Sequence, residues 1–132
     1  MAPITEPTAS WILLLARICL AGVFIVSGVH KAIWYRQAVA EFAAARVPWV
    51  GITLPLTIAL HLVAPLCLIA GRFTTTAALA LAAFTALATV WVHDFWNMSG
   101  PDRLARSRIF MAHMAVAGGL LLLAVTGPGR LS

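Results

Sequence analysis

The sequence predicts an all-α protein: a four-helix transmembrane bundle with a short interfacial helix between helices 1 and 2. Three observations carry this. Of 132 residues, 62% are hydrophobic and only 10% are charged, whereas soluble domains run near ~25% charged. Four apolar stretches, Trp11–Ile33, Val50–Ala70, Phe73–Val92 and Arg108–Val125, are of membrane length, since about 20 residues rising about 1.5 Å each cross a hydrocarbon core of about 30 Å. None of them alternates as a barrel strand does, and lipid admits only helices and closed barrels. Residues 1–132 therefore read as one membrane domain with spans at about 11–33, 50–70, 73–92 and 106–125.

The first stretch is read as a retained span. Ala43-Ala44-Ala45 has the small residues of a leader cleavage site, but it lies far beyond the apolar run, and no basic residue precedes Trp11. In the following connection, Val39, Phe42 and Ala43 recur at helical spacing while Arg36, Glu41 and Arg46 occupy other faces. Flanked by Trp34, Tyr35 and Trp49, this pattern suits a helix lying among lipid headgroups and ended by Pro48. Gly71-Arg72 makes the next connection tight, so helices two and three are antiparallel neighbours. Ser99-Gly100-Pro101-Asp102 is a turn and helix start, which places the beginning of the last helix near Asp102, and Gly127-Pro128-Gly129 stops it. His30 and His93 stand at corresponding ends of helices one and three, an echo that a duplicated hairpin would leave.

The net charge of +5 does not point to nucleic acid, because the basic residues flank the membrane. Lys31, Arg36, Arg46, Arg103, Arg106 and Arg108 lie on the side of loops one and three, and Arg72 and Arg130 on the other. The positive-inside rule then puts loops one and three in the cytoplasm and both termini outside. Cys19 and Cys67 fall within spans, where an inert buried thiol is the default.

Polar side chains inside spans are costly and so are the candidate functional groups. Helix one carries Arg17, Ser27 and Lys31; Arg17 and Lys31 return to within about 40° of one face, which also holds Ala21, Phe24 and Gly28. Thr53, Thr57 and His61 form one stripe on helix two, and Thr85, Thr89 and His93 form another on helix three, followed by Asp94. Helix four contributes His113. Both stripes are expected to face the interior. Pro65 removes the helical partner of the His61 carbonyl, which either seals as a proline kink or accepts a bond from a ligand. His30 reads as an interfacial residue. Arg17 has no acidic residue at its own depth, and Glu6 is the acid best placed to reach back. Ala115, Gly118 and Gly119 are expected to admit a close neighbour to helix four.

Arg17, Gly22, Phe24, Ser27-Gly28 and Lys31 resemble the first-helix pattern of the DoxX family. Gly71, Thr74-Thr75, His93-Asp94-Phe95-Trp96 and Ala117-Gly118-Gly119-Leu120-Leu121-Leu122 continue the resemblance in order. The chain departs from that pattern at His61, where members often carry Glu, and near His113, where they often carry Asn. The resemblance implies an inner-membrane component of a redox system, quinone-linked and related to sulfur or thiol chemistry, and an enzyme subunit in that sense. A quinone is then the implied cofactor. His61, His93 and His113 are candidates for a proton relay, their imidazoles titrating near neutrality. Arg17, Ser27, Lys31, Asp94 and Trp96 are candidates to bind the quinone or substrate.

A non-catalytic anchor or assembly subunit is the alternative, and either role implies a protein partner or a homo-oligomer in the lipid bilayer. A haem held by His61 and His113 is disfavoured by their unequal depths, and transport by the room that four short helices leave. No zinc-ligand spacing, phosphate loop or nucleophile elbow is present.

Overall fold

The computed structural model of the chain describes residues 5–92, 96 and 99–130. It contains α1 (Glu6–Ile33), α2 (Tyr35–Ala44), α3 (Val50–Ala70), α4 (Thr74–Val92) and α5 (Asp102–Thr126), with no strand among the described residues. All but α2 are long and apolar enough to cross a membrane. The fold is the expected four-helix membrane bundle with a short helix after the first span. α1 starts earlier than its apolar stretch, at Glu6, because Pro7 suits a first helical turn and an acidic group suits its positive end. α5 likewise starts at Asp102, ahead of its apolar stretch.

The four long helices form a ring. α1 packs on α3, α3 on α4, α4 on α5 and α5 on α1, and neither diagonal pair brings its Cα atoms within 8 Å among the described residues. The two hairpins, α1 with α3 and α4 with α5, make the broadest seams. Outward-facing Val26, Leu56, Val63, Leu87, Leu122 and Val125 meet lipid. Leu68, Leu81, Leu120 and Leu123 join Ala21 and Phe24 in the apolar core. Most of that core lies in the half of the bundle nearer the termini. Buried Thr57, His61, Thr85 and Thr89 lie toward the α1–α3 and α4–α5 connections, hereafter the loop side, while Ser10, Arg17 and Thr74 are buried nearer the termini.

α2 touches both α1 and α3, but Ala38 rather than Val39 or Ala43 is its buried residue. A small side chain lets this helix lie close against its neighbours, while Val39 and Ala43 face outward. Nor does Pro48 end it. Termination comes at Ala44, where Arg46 turns left-handed at φ 60°. The Arg46 N–H donates to the Ala43 carbonyl and the Val47 N–H to the Phe42 carbonyl, each at 3.0 Å. This is a Schellman closure with arginine in the position that glycine usually takes.

The α3–α4 turn closes in the same way with glycine. Gly71, at φ 74°, donates to Leu68 O at 3.3 Å, and Arg72 donates to Cys67 O at 3.1 Å. Gly71→Ala is expected to lower stability by about 1–2 kcal/mol, the cost of a left-handed residue with a Cβ. Thermal unfolding in detergent would reveal this, and an unchanged midpoint would refute it. α3 itself continues unbroken through Pro55 and Pro65.

After α5 the chain folds back on α1. A Cβ at Gly129 would stand 3.0 Å from Leu13 Cδ1, and Arg130 Nε lies 3.4 Å from Glu6 Oε1. That ion pair is exposed and contributes little.

Candidate functional site

Arg17 is fully buried, with 0% exposure. Its Nη1 donates to Leu68 O at 3.2 Å and to Ile69 O at 3.4 Å. These carbonyls belong to the last turn of α3, where helical partners run out and the backbone dipole is negative. The guanidinium thus closes the end of a neighbouring helix. Glu6, the acid expected to approach it, instead accepts from Ser10 and pairs with Arg130. An acidic partner is unnecessary because carbonyls at a helix end already concentrate negative charge.

The face of α1 between Arg17 and Lys31 points inward as expected, with Ala21, Phe24 and Gly28 buried. Arg17 and Lys31 lie at opposite ends of it, about 21 Å apart along the helix axis. At Gly28, α1 and α3 are tightly packed: a Cβ there would sit 3.0 Å from His61 Cβ and 3.0 Å from Leu62 Cδ2. One turn later Lys31 Nζ donates to Ser27 Oγ and keeps its remaining N–H groups.

His61 is only 4% exposed. Its ring meets Phe24 edge-on at 5.4 Å between centroids and Phe84 edge-on at 4.8 Å. Neither ring nitrogen has a hydrogen-bond partner among the described residues. A neutral imidazole carries one donor and one acceptor, and leaving both unused in a membrane interior is costly. Thr57, one turn earlier, satisfies its hydroxyl on Thr53 O at 2.8 Å.

Across the ring, Thr85 and Thr89 are buried on α4 as their spacing predicts. Thr89 Oγ1 lies 3.1 Å from His113 Nδ1 of α5. Ser27, Lys31, His61, Thr89 and His113 share the loop-side half of the interior, whereas Arg17 does not. His30 lies outside, beside Trp34 at 6.5 Å. Trp96 packs edge-on against Phe110 at 5.5 Å. His93 and Asp94 lie outside the described residues.

Sequence reasoning missed two groups. Phe24 and Phe84 clasp His61, but aromatic residues in a span carry no signal of what they enclose. Trp91 and Arg106 tie elements together at the loop side: Trp91 Nε1 donates to Ala45 O at 2.8 Å and Arg106 Nη1 to Val92 O at 2.8 Å. The expected close approach at helix four holds for Gly119, whose Cβ position lies 3.4 Å from Leu20 Cδ2, and not for Gly118, which faces open space.

The architecture that holds these groups also has relatives. Residues 12–94 match the DoxX sequence family, a segment running from α1 through α4. The chain belongs to the DoxX family. Two proteins of Escherichia coli (strain K12) extend the similarity into α5. Inner membrane protein YphA is 30% identical over 122 residues, covering 92% of this chain and 86% of its own length. Inner membrane protein YqjF is 36% identical over 119 residues, covering 90% and 86%. No solved structure matches. Within this DoxX chain the family match includes Arg17, Gly28, Lys31 and His61, and ends before His113.

Proposed function

We propose that this DoxX chain is an inner-membrane component of a quinone-linked redox system, drawing on sulfur or thiol chemistry. The observation that carries the proposal is His61: a buried imidazole between Phe24 and Phe84, with both nitrogens unbonded among the described residues. A quinone offers what this ring lacks, a carbonyl to accept its N–H and a flat face for the flanking aromatics. Lys31 supplies a second donor, and the Thr89–His113 pair a route for protons. Reducing a quinone to its quinol takes up two electrons and two protons. In this proposal a partner subunit provides the electrons, and the imidazoles of His61, His93 and His113 carry protons. Arg17 stands apart, committed to α3.

Loops one and three face the cytoplasm in this reading. The excess of basic residues on that side supports it.

His61→Phe tests the site, since it keeps an aromatic ring of similar size and removes both nitrogens. In purified protein reconstituted in nanodiscs, its helical content and melting midpoint should persist, while decylubiquinone binding, read by tryptophan quenching, should weaken about tenfold. Equal binding by both proteins would reject the quinone site.

A second reading, a non-catalytic anchor for a partner enzyme, is favoured by the closed packing around His61 and the backbone-closing use of Arg17. In that case His61 is a core ring, and a partner recovered from native membranes keeps its activity with the His61→Phe chain.

A further inference from the structure

We propose that the loop side carries a binding site for the phosphodiester headgroup of an anionic phospholipid, distinct from the interior around His61. The end of α2, the end of α4 and the first turns of α5 enclose a cleft of about 760 Å³. Its charged lining among the described residues is Arg46, Arg106 and Glu41, with Trp91 forming one wall.

Two features make it a built site. Arg106 is half-buried and held in place by its bond to Val92 O, which leaves its other N–H groups for an anion. Trp91 is pinned to Ala45 O, so the α2 and α4 walls are joined. Arg46 completes the cleft from a left-handed backbone position. That position normally calls for glycine, and a side chain there costs about 1 kcal/mol or more. An arginine standing where the backbone disfavours any side chain points to work done by its guanidinium.

The charges select the ligand. Two guanidiniums and one carboxylate leave a single positive charge, matching the single negative charge of a phosphodiester better than the double charge of a phosphomonoester. Guanidinium forks suit phosphate oxygens. The depth suits a lipid, because Trp91 marks the headgroup level and the outward Leu87 and Val90 below it offer an apolar path for acyl chains.

Arg46→Gly separates binding from folding, since glycine relaxes the left-handed backbone while removing the guanidinium. In neutral detergent this variant should melt at or above the parent's temperature. Titrated with phosphatidylglycerol and followed by native mass spectrometry, it should bind about tenfold more weakly than the parent. Phosphatidylcholine, whose choline offsets the phosphodiester charge, should bind the parent more weakly than phosphatidylglycerol does, and inorganic phosphate should bind neither protein measurably. Unchanged phosphatidylglycerol binding would overturn the proposal, as would equal binding of phosphatidylcholine. Binding of inorganic phosphate with comparable affinity would show a soluble-anion site and overturn the lipid assignment. Arg106→Lys is the second variant: it keeps the charge, loses the fork, and should weaken phosphatidylglycerol binding without abolishing it.

Discussion

Arg17→Ala should destabilise the purified protein by about 3–5 kcal/mol, combining a large buried void with the loss of a buried charged partner. The side chain is fully enclosed and its guanidinium meets the Leu68 and Ile69 carbonyls. Leu68 O retains a longer bond from Gly71, but among the hydrogen bonds described here Ile69 O is reached by Arg17 alone. Without the arginine, the last turn of α3 exposes carbonyls to an apolar interior that has no water to satisfy them. Arg17→Lys should recover part of the loss, because an ammonium keeps the charge but lacks the planar fork. Unfolding in mixed micelles measures both variants. A loss under about 1 kcal/mol for Arg17→Ala would mean that the α3 terminus finds other donors.

Gly28→Leu carries the second large effect. Even the Cβ of alanine would stand 3.0 Å from His61 Cβ and Leu62 Cδ2. The Leu62 tip can swing away, but His61 Cβ moves only with α3. Overpacking of this kind costs about 1–3 kcal/mol, and leucine at Gly28 should reach the top of that range while alanine stays near the bottom. Because the contact is with His61 itself, the substitution should also disturb the ring between Phe24 and Phe84. Leu62→Ala in the same chain should restore part of the stability of Gly28→Ala. A Gly28→Leu protein as stable as the parent would show that the α1–α3 seam is looser than its geometry indicates.

The membrane bundle was legible because lipid imposes a length and a composition that cannot be disguised. The inward face of α1 and the inward Thr57, Thr85 and Thr89 were legible for a related reason: polar residues in mid-span that recur at helical spacing share one face, and turning that face inward avoids the cost of lipid. The acceptors of Arg17 were not, since backbone carbonyls have no residue identity and any helix end could have served. The pairing of Thr89 with His113 depends on the rotation of α5 against α4, which no periodicity sets. The ending of α2 at Ala44, ahead of the left-handed Arg46, was hidden for the opposite reason. A left-handed arginine breaks the usual preference for glycine, so the more conventional Pro48 drew the boundary too late.

The carbonyls that receive Arg17 lie 51 and 52 residues downstream of it. When the first span reaches the membrane, neither acceptor has yet entered it. An unaccompanied arginine opposes membrane entry at a cost that reaches about 2.5–3.5 kcal/mol at a helix centre and falls toward the surface, and the apolar residues of α1 must outweigh it on their own. The burden ends only when α3 arrives and its final turn reaches the arginine's level. The order of translation thus makes the first two spans a single unit of insertion, in which the earlier one is finished by the later.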